Sequence, residues 1–175
     1  MKKALLGLVA SALVISGAAK AEDVSATIDI SGTLQESTSS CTVVLSESSV
    51  SLLENTDTLI KQGENATNAK LIHASVQGMD ECAELVADGK IAYKFKGTAD
   101  EADGNVLANE LTDSTAATGV GIGVFDENNH PVAVNTGTLP AKEDTVFGLQ
   151  MVELNGQSGV AGNINATVTV QIERL

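Results

Sequence analysis

Aromatic side chains are nearly missing from this 175-residue chain: it has no tryptophan, and Tyr93, Phe95, Phe125 and Phe147 make up its whole 2% aromatic content. Packing must therefore rest on Val, Ile, Leu and Ala. Basic residues are scarce too, 10 against 23 acidic, and a surface of that sign repels phosphate backbones, which argues against a nucleic-acid partner. There are two cysteines, Cys41 and Cys82, with no histidine at ligand spacing, so they do not make a zinc site. The two histidines, His73 in a strand-like run and His130 in a turn before Pro131, lack any partnering motif for catalysis. No G-x-S-x-G elbow occurs; "GQSG" at 156–159 has the wrong spacing and reads as a turn. "DEADGN", residues 100–105, lacks the alternating ligands and distal glutamate of a calcium loop. "NAT" at 65–67 and 165–167 fits strand threonines better than glycosylation sites. These absences leave no enzyme, metal or cofactor supported.

One apolar run is present, and it stands at the start. "MKKALLGLVASALVISGAAKA" joins Lys2 and Lys3 to an apolar stretch from Ala4 to Ile15 and ends on small residues, Ala19-Lys20-Ala21. That is the layout of a secretory signal peptide, with cleavage expected after Ala21, and it is too short to span a bilayer. No later segment approaches the roughly 18 apolar residues a span needs. Taking 21 residues from 175 leaves 154, enough for one domain with a real core. It also leaves 7 basic against 23 acidic side chains, a formal charge of −16 that favours solubility. An exported chain meets oxidising conditions, so Cys41 and Cys82 are expected to form a disulfide. Closing a loop of about 42 residues removes about 4 kcal/mol of unfolded-state entropy in the simple chain model.

Beyond the leader, the chain breaks into short alternating runs separated by turn residues, the pattern of an all-β sandwich. "CTVVLSESSVSL" offers one or two strands, and "AKLIHASVQ" another that ends near Cys82. "GKIAYKFKG" puts Ile91, Tyr93 and Phe95 on one face. "GVGIGVFDENNHPVAV" reads as strand, turn and return strand, with Pro131 at the strand's start, where its missing donor costs least. "TVFGLQMVEL" supplies one more, and "INATVTVQIERL" places Ile164, Ala166, Val168, Val170 and Ile172 on one face.

The first mature stretch is the unusual one. In "DVSATIDISGTLQ", residues 23–35, Val24, Ala26, Ile28, Ile30, Gly32 and Leu34 alternate with polar neighbours, in a strand about twice the usual length. It precedes any hairpin partner. "QESTSS", residues 35–40, is the only linker-like piece, a polar joint that would let the strand leave its own domain.

Taken in order, these segments resemble the pilin subunits of the chaperone–usher pathway, of the type 1 fimbrial kind. The resemblance is carried by "TIDISGTLQESTSSC", by "SVSLLENTDTLIKQGENATNAKLIHASVQGMDEC" running to the second cysteine, by "AYKFKGTADEADGNVLAN", by "ATGVGIGVFDENNHPV" and by "GNINATVTVQIERL". Gly162 lies fourteenth from the C-terminus, where such pilins typically carry glycine. The chain departs from them in ending Glu173-Arg174-Leu175, without an aromatic penultimate residue.

The resemblance implies an all-β, incomplete immunoglobulin-like sandwich of six strands that lacks its last strand and is completed by a donor strand from a neighbouring subunit. Its divisions would be 1–21 as signal peptide, 22–36 as donor extension and 37–175 as pilin domain. The donor face would be Val24, Ala26, Ile28, Ile30, Gly32 and Leu34. The acceptor groove and chaperone contact would involve Gly162, Ala166, Val168, Val170, Ile172 and the carboxylate of Leu175. Implied partners are identical or related pilins, a periplasmic chaperone, an outer-membrane usher and a host receptor reached through the fibre; the destination is a cell-surface fimbrium. Burying Val24, Ile28, Ile30 and Leu34 at roughly 1.5–3 kcal/mol each gives on the order of 6–12 kcal/mol before ordering costs. A one-residue slip would present Ser25, Thr27, Asp29, Ser31 and Thr33 instead, so only even slips keep the pattern.

Three other readings compete. A minor or terminal pilin would bind a receptor through its own surface, and a secreted enzyme or binding protein would be a closed sandwich, stable alone. In the third, residues 22–34 would simply form the first strand of their own domain.

Overall fold

The computed structural model describes residues 41–175. The expected leader at 1–21, the donor residues Val24, Ala26, Ile28, Ile30, Gly32 and Leu34, and the joint at 35–40 lie outside the described residues.

Ten strand segments and one helix follow in the order β1 (Thr42–Leu45), β2 (Ile60–Lys61), β3 (Lys70–Gln77), α1 (Asp80–Ala87), β4 (Ile91–Gly97), β5 (Leu107–Ala108), β6 (Val120–Phe125), β7 (Pro131–Val132), β8 (Thr138–Pro140), β9 (Thr145–Glu153) and β10 (Val168–Arg174). The larger sheet runs β1-β3-β9-β6-β5, with β2 beside β9 and β7 beside β6; the smaller runs β10-β4-β8. All pairings are antiparallel except β2 with β9. This is an immunoglobulin-like all-β sandwich. It has more strand segments than the six implied by resemblance because β2, β5 and β7 are two-residue pairings and β8 a three-residue one, which leaves six longer strands among the described residues.

Alternation decides which side chains meet between the sheets. Ile72, Ile122, Val124, Phe147 and Leu149 from the large sheet pack on Ile91, Tyr93 and Phe95 of β4. With so few aromatics, the ones present are placed centrally: the Phe95 and Phe147 rings meet at 4.9 Å between centroids, tilted by 59°. A smaller cluster around Phe125, Val152, Ile60 and Val106 covers part of the other face of the large sheet. Hence every residue of β6 is buried.

Tyr93 is 0% exposed, and its hydroxyl finds no hydrogen-bond partner among the described residues. A buried hydroxyl in that state costs stability rather than adding it. Tyr93→Phe is therefore expected to raise the unfolding free energy by about 1 kcal/mol in urea titrations.

"DEADGN" has a structural use. The Asp100 carboxylate accepts hydrogen bonds from the backbone N–H groups of Ala102, Asp103 and Val106 at 2.8, 2.9 and 3.0 Å. Burial pushes its pKa up, but hydrogen bonds from the Val106 N–H, the Gln62 amide and the Gly104 and Asp103 N–H groups outweigh it and hold the carboxyl below its ordinary value.

β3 stops at Gln77, where the run "AKLIHASVQ" ends. The residues that follow form helix α1, for which the sequence reading has no element, and Cys82 stands in it. Cys82, Leu85 and Val86 share the face turned to the core, Asp80 and Glu81 suit the helix N-terminus, and Gly89, at φ +67°, ends the helix. Cys82 is bonded to Cys41, with 5.7 Å between their Cα atoms, which ties the start of β1 to α1.

Candidate functional site: an open groove between the sheets

β10 pairs with β4 along one edge, from Val168 opposite Gly97 to Arg174 opposite Ile91. Its other edge carries no strand among the described residues. Such an edge is a template for further pairing. Opposite it, the chain leaving β1 makes one last backbone bond, Ser46 N–H to His73 O at 2.9 Å. Residues 47–53 then make no backbone hydrogen bond with another described residue. The sequence reading allowed a second strand there from the alternation of Val50 and Leu52; both side chains do pack on the core, but no strand lies beside them.

Between these two edges runs a cavity of about 470 Å³. Ile72, Leu107, Ile122, Phe147 and Leu149 floor it, Leu45 to Leu52 form one wall, and Ile164, Ala166, Val168 and Val170 form the other. The four wall residues from Ile164 to Val170 are half-buried and alternate with exposed Asn165, Thr167 and Thr169. Ile172 continues this face and also packs on the core. Leu175 is 68% exposed, and its N–H donates to Lys90 O at 2.9 Å. Lys94 and Glu173 pair at 2.6 Å across β4 and β10 on the polar face, an ion pair worth little where water reaches it.

β10 itself begins only at Val168, four residues later than the alternation from Ile164 implied. The reason is a competing set of bonds. Residues 160–165 are held by the stretch 109–118: Asn163 N–H donates to Thr115 O at 2.7 Å, Ala117 N–H to Asn163 O at 2.8 Å, and Val160 N–H to Thr118 O at 2.9 Å. Gly162 belongs to this joint and does not line the main cavity. A Cβ there would overlap Ala117 N and lie 2.6 Å from Ala116 C and 2.7 Å from Thr115 O, so only glycine lets the two backbones approach this closely.

A second cavity of about 250 Å³ shares Ile164 with the first and lies between Glu54 to Leu59 and Val160 to Gly162, over Val120 and Met151. Burial pushes the Glu54 carboxyl above its ordinary value, against the opposing effect of the Gln150 amide. The floor residues, the 45–52 wall and the joint at 109–118 were not singled out from the sequence. The apolar alternation in "SVSL" and "TVFGLQ" carried the first two signals, whereas the joint leaves no local pattern.

An unpaired strand edge beside a cleft with an apolar floor is what a sandwich missing one strand leaves behind, and a family model for "Fimbrial protein" matches residues 28–173. This chain belongs to the fimbrial protein family. It is a pilus subunit, and its place is a surface fimbrium. Among the relatives of this fimbrial subunit, Long polar fimbria protein A of Salmonella typhimurium (strain LT2) is 28% identical over 151 residues, covering 84% of this chain and 82% of the relative. The Type-1 fimbrial protein, A chain, of Salmonella typhi is 32% identical over 97 residues, 52% of each chain. Among solved structures, the P pilus rod subunit PapA overlays with a TM-score of 0.49 at 14% identity, covering 85% of this chain and 100% of that one. Among the described residues, no helix is long and apolar enough to cross a membrane.

Proposed function

We propose that this fimbrial subunit polymerises by donor-strand exchange to build a fibre used in adhesion, the groove of one copy receiving residues 22–34 of the next. The observation that carries the reading is the unpaired edge of β10 beside a cavity of about 470 Å³ with an apolar floor. Backbone groups on such an edge supply hydrogen bonds to an added strand, and the floor takes its alternate side chains. Val24, Ala26, Ile28, Ile30, Gly32 and Leu34 form the matching face in the sequence. In this account residues 1–21 are removed on export, 22–36 are the donor extension and 37–175 the receiving domain. During transit a periplasmic chaperone lends the groove a strand while holding the Leu175 carboxylate, and an outer-membrane usher receives the complex. Any host receptor is met through the assembled fibre.

The test separates giving from receiving. Val170→Asp sets a carboxylate in the apolar groove, where leaving water without a partner is costly. Chains with this substitution, mixed with unaltered chains in one cell, should shorten the fibres seen by electron microscopy in proportion to their share. Fibres of unchanged length at equal shares would contradict the reading.

A further inference from the structure

Resting on the donor-strand reading, we infer that Ile164 fixes the register of the incoming strand of a second copy, and that Asn109 is the positioning residue that holds Ile164 there. Ile164 is the one described residue that lines both cavities, the larger at about 470 Å³ and the smaller at about 250 Å³. Both spaces lie over the same face of the larger sheet, the first above Ile122 and Leu149 and the second above Val120 and Met151. Leu52 borders the first and Glu54 the second, two residues apart on one wall, while Ile164 ends the first and opens the second on the other. Its side chain is therefore the partition between them.

The partition matters because the strand's own pattern leaves the register open. Alternation rules out odd slips but allows a slip of two, which exchanges one apolar residue for the next and sets Ile30 or Leu34 where Gly32 had been. An end stop in the groove removes that freedom. Without Ile164 the gap runs on, and a strand shifted by two residues finds space in the second cavity.

A stop has to be immobile, and Asn109 explains why this one is. Its Nδ2 donates to Ala117 O and Asn163 O, both at 2.9 Å, while its Oδ1 accepts from the N–H groups of Leu111 at 3.1 Å and Asn165 at 3.0 Å. Asn163 and Asn165 flank Ile164 on either side, so a single amide grips the backbone on both sides of the partition. The Glu110 N–H adds a bond to Asn165 O at 2.8 Å. Only an amide has both donors and an acceptor for this arrangement. Asn109→Asp keeps the shape and the acceptor but turns two donor bonds into oxygen–oxygen contacts.

The experiment uses fibres of full-length chains carrying a photoreactive apolar residue at Ile30, with cross-linked pairs mapped by mass spectrometry. Variant chains are assembled together with unaltered ones, so fibres form whether or not a variant polymerises alone. Unaltered grooves should give one set of products. Ile164→Ala grooves should add a second set displaced by two residues, rising to about half of the total. Ile164→Val should keep the single set, and Asn109→Asp should show the displaced one. A single, unshifted set from both Ile164→Ala and Asn109→Asp grooves would overturn the inference. No cross-link from position 30 to an unaltered groove would instead overturn the donor-strand reading itself.

Discussion

Deleting residues 22–34 from a chain that keeps its leader should reduce surface fibres to the level of cells without the chain. The deleted face holds Val24, Ile28, Ile30 and Leu34, whose burial in a neighbour's groove, under the proposed donor-strand exchange, would supply on the order of 6–12 kcal/mol before ordering costs. No other segment carries a comparable alternation outside the folded domain. The receiving half of the joint is untouched by the deletion, since the groove is lined by residues from Leu45 to Val170. The shortened chain should therefore still accept a strand. Mixed with Val170→Asp chains, which give but do not receive, it should form a dimer and nothing longer. Size-exclusion chromatography of the mixture reads this directly, and polymers beyond the dimer would show that strand transfer has another route.

Loss of the disulfide is the second large effect. Cys41 and Cys82 are 41 positions apart, and opening that loop returns about 4 kcal/mol of entropy to the unfolded chain. Against a total stability of about 5–15 kcal/mol for a domain, this is a large share. The bond also holds the start of β1 against α1, three residues before the groove wall begins at Leu45. Cys82→Ser should therefore lower the urea midpoint sharply and reduce the yield of folded subunit. Cys41→Ser should do the same, and the double variant should lose no more than either single one, because all three open the same loop. A substantially larger loss in the double variant would mean that the thiols stabilise the fold separately.

The all-β class and the main strands were legible because they rest on two-residue periodicity, which burial enforces directly. β4 shows this: Ile91, Tyr93 and Phe95 face the core as the alternation requires. Helix α1 was missed although its signals are present. Cys82, Leu85 and Val86 have helical spacing and Gly89 follows, but two turns between strands are too short to stand out from a strand end. The start of β10 was misplaced for a different reason. From Ile164 onward the side chains keep one alternating face, yet the backbone bonds of residues 160–165 go to the stretch 109–118, and periodicity does not report which backbone a strand bonds to. The same limit hid Asn109, a polar residue in a polar loop whose four partners are brought together only by the fold. Gly162 was noticed for its place near the C-terminus, but its use, a close backbone approach to residues 115–117, depends on that same joint.

The most direct test of the central claim is a high-resolution cryo-electron-microscopy map of fibres purified from cells making the unaltered chain. Residues 22–34 of each subunit are expected in the groove of its neighbour, hydrogen-bonded to the open edge of β10, with Val24, Ala26, Ile28, Ile30, Gly32 and Leu34 turned inward. A map in which those residues fill the groove of their own subunit, with neighbours held by surface contacts alone, would contradict it.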